Sequence, residues 1–191
     1  MAFAKQALSV SIELQKIPLW AKNLILILGA SIIIGLFGYI SIPLPFTPIP
    51  IAIQPFLVLF FAVLIGGKRA VAAVAAFLLQ GAMGLPVFAG GASGIVTLMG
   101  PRGGYLIGYL VAAYIVGRLM EMGGKRTILN AFLAMFAGNV CIYICGALVL
   151  SFFVGGIQAL LLGVAPFVIV DLVKISVGLK FLQIIGWVEK S

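Results

Sequence analysis

Between Arg126 and Asp171 this chain carries no charged residue. That run is one of several, and such runs limit the fold more than any motif does. A soluble domain has too little interior to hide such stretches, because surface area grows nearly as fast as volume in a small domain. Of the 191 residues, 64% are hydrophobic and 8% charged, against roughly 25% charged residues in an ordinary soluble domain. The solvent for this much apolar surface is lipid. A membrane β-barrel needs strands that alternate apolar with polar residues, and these runs do not alternate. The chain is therefore expected to be an all-α, polytopic membrane protein.

A helix needs ~20 apolar residues to cross the hydrocarbon layer. Six stretches are candidates: residues 23–40, 51–65, 70–83, 104–120, 128–154 and 160–187, the second and third being short. The charges outside them sort by parity. Lys5, Lys16 and Lys22 precede the first stretch, Lys68 and Arg69 follow the second, Arg118, Lys125 and Arg126 surround the fourth link, and Lys180 and Lys190 lie toward the end. With six crossings all of these fall on one face, and the other face holds Arg102 alone. The positive-inside rule then predicts both termini in the cytoplasm, in a cell membrane. Residues 1–22, with Lys5, Glu13 and Lys16 among apolar residues and no cleavage-like end, read as an interfacial amphipathic lead-in, not a signal peptide. Residues 23–191 form one six-helix membrane domain. The net charge of +8 is topogenic on this reading, and no nucleic-acid partner is expected, because no basic patch stands outside these short loops.

Several chemistries are excluded early. The chain has no histidine, the commonest general base and metal ligand, so neither an enzyme nor a metal or cofactor site is expected. Cys141 and Cys145 share a helix face at a spacing that suits a disulfide badly. Small residues at spacing four (Ser31 and Gly35; Gly104, Gly108 and Ala112; Ala137, Cys141 and Cys145) read as close helix packing. No G-x-x-x-x-G-K-[ST] loop is present, so ATP hydrolysis by that route would have to come from a partner.

The outward links carry information of another kind. Residues 41–50 read Ser-Ile-Pro-Leu-Pro-Phe-Thr-Pro-Ile-Pro, with four prolines that discourage helix and favour a stiff, extended chain. Residues 84–104 hold Gly90, Gly91, Gly94, Gly100 and Gly103, so this backbone can approach a ligand closely. Both are too apolar to be disordered and are expected to pack on the helices.

Asp171 and Lys174 stand inside the last apolar stretch. A charge at the centre of a membrane helix costs ~2.5–3.5 kcal/mol on insertion scales. At spacing i, i+3 the two share a helix face, which must point into the bundle, toward a cavity roofed by the outward loops. A structural ion pair is the plain alternative; an intramembrane charge is by default a site candidate. Asn139 and Tyr143, one turn apart, and Gln54 and Gln80 add amides and a hydroxyl.

Taken together these residues resemble the BioY family, the biotin-binding S components of energy-coupling-factor transporters. The resemblance rests on residues 42–54 (Ile-Pro-Leu-Pro-Phe-Thr-Pro-Ile-Pro-Ile-Ala-Ile-Gln), on Gly-Gly-Lys-Arg at 66–69, on Gly-Leu-Pro-Val-Phe-Ala-Gly-Gly at 84–91, on Gly-Pro-Arg-Gly-Gly-Tyr at 100–105, and on Pro166, Phe167, Asp171 and Lys174. It implies a six-helix subunit whose outer loops close over biotin, with a transmembrane coupling subunit and two ATPases as partners. Gly91 falls in the family's Gly-Gly pair. Where some members carry an asparagine and an arginine, this chain has Ala92 and Leu106, which leaves Ser93 or Arg102 as stand-ins. Asp171 is then expected to accept from the ureido N–H groups and Lys174 to donate to its carbonyl. The rival expectation is a stand-alone secondary transporter of biotin or another small vitamin, with Asp171 and Lys174 as its coupled pair.

Overall fold

Proline and glycine set where the helices begin and end. In the computed structural model, which describes residues 18–124 and 126–189, Pro18 caps the first helix, α1 (Leu19–Leu36). The expected lead-in is outside the described residues as far as residue 17, but its last turn belongs to α1, which begins four residues earlier than the hydropathy suggests. A 3₁₀ turn, Phe37–Tyr39, continues α1. Helix α2 (Gln54–Ile65) starts on Pro55, and Gly66 at φ +82° breaks it from α3 (Gly67–Ala82). Only glycine takes that backbone conformation without strain. After α4 (Ile95–Met99) come α5 (Gly103–Met122) and α6 (Ile128–Val154), which Thr127 caps by accepting from the Asn130 amide. Gly155 at φ +90° then starts α7 (Gly156–Gly163), and α8 (Ala165–Ile184) ends the helical part.

Helices occupy all six expected stretches. Four of them are long and apolar enough to cross a membrane: Leu19–Tyr39, Gly103–Met122, Ile128–Val154 and Gly156–Ile184. At 12 and 16 residues, α2 and α3 rise only ~18 and ~24 Å, short of the ~30 Å layer. The prolines before α2 and the glycine hinge after it take the residues that a full crossing would need.

Close packing at small residues holds the bundle together. Helices α5 and α6 form the most intimate pair. A Cβ on Gly104 would overlap the Cys145 carbonyl and the Val149 side chain, and one on Gly146 would enter the Tyr105 ring. The stripe of Gly104, Gly108 and Cys145 is thus internal packing, as its spacing suggests. Across the bundle α3 packs on α1 and α5. The amide of Gly67 at the start of α3 donates to Glu121 at 3.0 Å, an anion where the helix N-terminus favours one.

Both outward links are ordered. The proline-rich stretch forms a small antiparallel hairpin, β1 (Ser41–Ile42) against β2 (Ile51–Ala52), the one ladder of named strands among the described residues. The second link, residues 84–104, contains a 3₁₀ turn (Ala89–Gly91) and α4. Its anchor is Phe88, buried edge-to-face on Phe77 at 5.4 Å and seated where Gly81 has no side chain.

The last stretch, read from sequence as one continuous span, is interrupted at Val164 (φ −124°, ψ −58°). Pro166 has no N–H to give to the Leu162 carbonyl, and the Phe167 amide turns to Val164 instead. Two carbonyls thereby lose their helical donors. Thr47 Oγ1 of the hairpin loop donates to Leu162 at 2.9 Å, and the Tyr105 hydroxyl donates to Gly163 at 2.8 Å. The break in one helix is therefore what fastens the first outer loop and α5 to it.

Substituting Gly104→Leu should force α5 and α6 apart and lower stability by about 1–3 kcal/mol, read as a drop in the detergent melting temperature. Gly29→Leu, at a helical position with nothing within 4 Å, should leave it unchanged or raise it.

Candidate ligand-binding cavity

Asp171 and Lys174 lie about two and three turns along α8 from the break at Val164, ~10 and ~15 Å at 1.5 Å per residue. Both are largely buried, with side chains 9% and 18% exposed. Lys174 Nζ donates to Asp171 Oδ1 at 2.8 Å and to the Ala52 carbonyl of β2 at 2.7 Å. Tyr143 of α6 donates to Asp171 Oδ2 at 2.6 Å, and Asn139 lies one turn away on the same helix. Taking two charges from water costs several kcal/mol per ion unless the geometry and the added hydrogen bonds offset it. Here each partner has help from a different element.

The pair is held but not saturated. An ammonium has three donors and a carboxylate about four acceptor positions; the contacts above use two of each. A cavity of ≈ 60 Å³ opens beside them. Its walls are mostly apolar. Tyr105, Tyr109, Ile142 and Phe167 form one side, and Pro50, Pro55 and Phe88 supply parts of the other. The outer hairpin and the second link thus roof a pocket whose floor is charged.

The residues singled out in the sequence distribute unevenly. Asp171, Lys174, Tyr143 and Gln54 line the cavity. Asn139 is outside the lining, buried behind Tyr143. Gln80 faces away, its Nε2 donating to Ser31 Oγ at 2.9 Å as an α3–α1 tie. Gly91 (φ +74°) packs on the Tyr39 ring, and the Ser93 carbonyl accepts from Thr97 Oγ1 at 2.7 Å. Neither Gly91 nor Ser93 is among the residues lining the cavity.

Arg102 takes the place at the mouth. Its Nε donates to the Pro48 carbonyl at 2.9 Å and its NH1 to the Ala89 carbonyl at 3.2 Å, so one guanidinium spans both outer loops. No carboxylate pairs with it among the described residues, and most of its five N–H groups stay open to an anion. Its signal in the sequence was its isolation, as the lone cation expected on the outward face. The aromatic lining gave less signal: Tyr105 closes one of the family motifs, but Tyr109 reads as an ordinary helix residue until α6 and α8 are placed against it.

Comparison with known proteins shows the family and the fold. The family model described as the BioY family matches residues 6–185. The biotin transporter BioY of Thermotoga maritima is 42% identical over 154 residues, covering 80% of this chain and 87% of that protein. The biotin transporter BioY2 of Lactococcus lactis is 34% identical over 163 residues, covering 84% and 87%. A crystal structure of the S component for biotin from an ECF-type ABC transporter shares the fold, with TM-score 0.76 at 24% identity over 89% of this chain and 93% of that one. Helix order, a charged cavity floor beneath two ordered outer loops, and these matches lead to one assignment: the chain belongs to the BioY family.

Proposed function

We propose that this protein is the biotin-binding membrane subunit of an uptake system, taking biotin into the cavity over Asp171 and Lys174 and delivering it to the cytoplasm with an ATPase-driven coupling complex. One observation carries the reading: a buried acid–amine pair with unused donors and acceptors, beside a largely apolar cavity lined by both outer loops. A structural ion pair needs no such space. Biotin matches the lining in kind. Its fused rings and aliphatic chain suit the aromatic and proline walls, while Asp171 accepts from a ureido N–H and Lys174 donates to the ureido carbonyl. The carboxylate at the end of the chain reaches the mouth, where Arg102 offers a planar, bidentate donor set.

In this reading all six helical stretches are embedded in the cell membrane, α2 and α3 crossing with the help of the ordered links beside them. Both termini face the cytoplasm, as the cation distribution favours. The partners are a transmembrane coupling subunit and two ATPases, supported by the fold shared with a solved S component. The chain itself does no chemistry on its cargo and holds no cofactor.

Asp171→Asn and Lys174→Ala should each weaken biotin binding to the purified protein by about 10- to 100-fold, the range expected for losing a charged hydrogen bond in a buried site; unchanged affinity in both would remove the cavity from consideration. Arg102→Gln should weaken biotin about 10-fold yet leave biotinamide, which lacks the negative charge, bound as before, as titration of both ligands would show. In cells that also supply the coupling complex, uptake should survive an ionophore and stop on ATP depletion; the opposite pattern would identify a secondary transporter.

A further inference from the structure

Gln54 is fully buried in the cavity wall. Its Nε2 donates to the Ile34 carbonyl of α1 at 2.9 Å and to the Val87 carbonyl, at the root of the second outer loop, at 2.7 Å. Two acceptors around one end of an amide settle which end is nitrogen. The other end, Oε1, is buried and has no partner among the described residues. A buried acceptor without a donor is uncommon and calls for a reason.

The surroundings keep the amide where it is. A Cβ on Gly38 would overlap the Val87 carbonyl and come within 2.9 Å of Gln54 Nε2. Val87 leads into Phe88, whose ring both anchors the loop on α3 and lines the cavity. One side chain therefore joins the cavity, the end of α1 and the root of the second loop. Ala52, whose carbonyl holds Lys174, is two residues earlier in the chain, so Gln54 and the ion pair border the same floor.

The chemistry of a cyclic urea makes this arrangement useful. Its two N–H bonds diverge on either side of the carbonyl, so one carboxylate cannot take both. Asp171 accepts one; the other needs a second acceptor.

We propose that Gln54 Oε1 accepts the second N–H of the bound ureido ring, and that this bond locks the amide whose nitrogen ties α1 to the second outer loop, so that filling the cavity tightens that loop. The inference rests on the biotin reading above. It makes Gln54 a specificity and positioning residue. Ligands with two divergent N–H donors (cyclic ureas or imide-like rings) satisfy the floor, whereas a ring with a single donor leaves Oε1 unpaired and the loop slack.

The test uses the full-length protein in lipid nanodiscs, biotin, and the two biotins methylated on one or the other ureido nitrogen. Gln54→Met keeps the side-chain length without the amide. It should weaken biotin about 10-fold or more, the range set by a buried hydrogen bond. One methyl isomer should lose a similar factor against the wild type and almost nothing further against Gln54→Met, a non-additivity that a merely structural glutamine would not produce. At saturation, biotin should slow hydrogen exchange over residues 84–102 in the wild type. That isomer should not, and this arm needs no substituted protein. Additive losses for both isomers, or equal loop protection by all three ligands, would overturn the role of Gln54 while leaving biotin binding intact. No biotin binding by the wild type would instead overturn the reading on which it rests.

Discussion

An acid and an amine on one face of α8 set the terms for everything around them. In hydrocarbon an unpaired Asp171 or Lys174 would be too costly to keep, so the fold must bring partners to them. It brings two, from separate parts of the chain: the Ala52 carbonyl from the first outer loop and the Tyr143 hydroxyl from α6. Each contact is also a constraint on architecture. The hairpin must fold back over the bundle to reach Lys174, and α6 must run beside α8 at the depth of the pair. The charged floor thus organises its own roof and wall.

A second constraint, a proline, works through what it removes. Pro166 leaves the Leu162 and Gly163 carbonyls without helical donors, and in a medium with no water such groups must find partners inside the protein. Thr47 and Tyr105 supply them. The first outer loop is consequently fastened at three points along its length: by Thr47 to the helix break, by the Pro48 carbonyl to Arg102, and by Ala52 to Lys174. The second is fastened by Phe88 on Phe77, by Ala89 to Arg102 and by Val87 to Gln54. Arg102 is the shared tie. A lid held by several single hydrogen bonds, each made with a polar group at or near the cavity, is one that a ligand can influence by competing for or completing those bonds.

Where the expectations and the structure part, the cause is consistent. Gln54 and Gln80 looked alike, each an amide near the end of an apolar stretch, yet one lines the cavity and the other ties α3 to Ser31. Nothing local separates them. Gly91 follows a family pattern and Ser93 was a stand-in for a residue this chain lacks, yet neither lines the cavity. The interrupted last helix was visible as Pro166, although its consequence, two carbonyls open to distant hydroxyls, was not. Arg102 was conspicuous as a lone outward cation before its reach across both loops was known.

The division follows from the range of the forces involved. Local sequence was sufficient for what local physics controls: helices that bury themselves in lipid because they have nothing polar to offer water, extended links where proline forbids helix, and an acid and an amine three residues apart that must share a face. It was also sufficient for the family, through motifs whose order spans most of the chain. Which side chains meet across the cavity was decided by tertiary packing alone. That packing depends on how closely α5 and α6 approach at Gly104 and Gly146 and on where Phe88 seats against Gly81. These contacts join residues far apart in the chain, and helical periodicity says which way a residue points without saying what stands opposite.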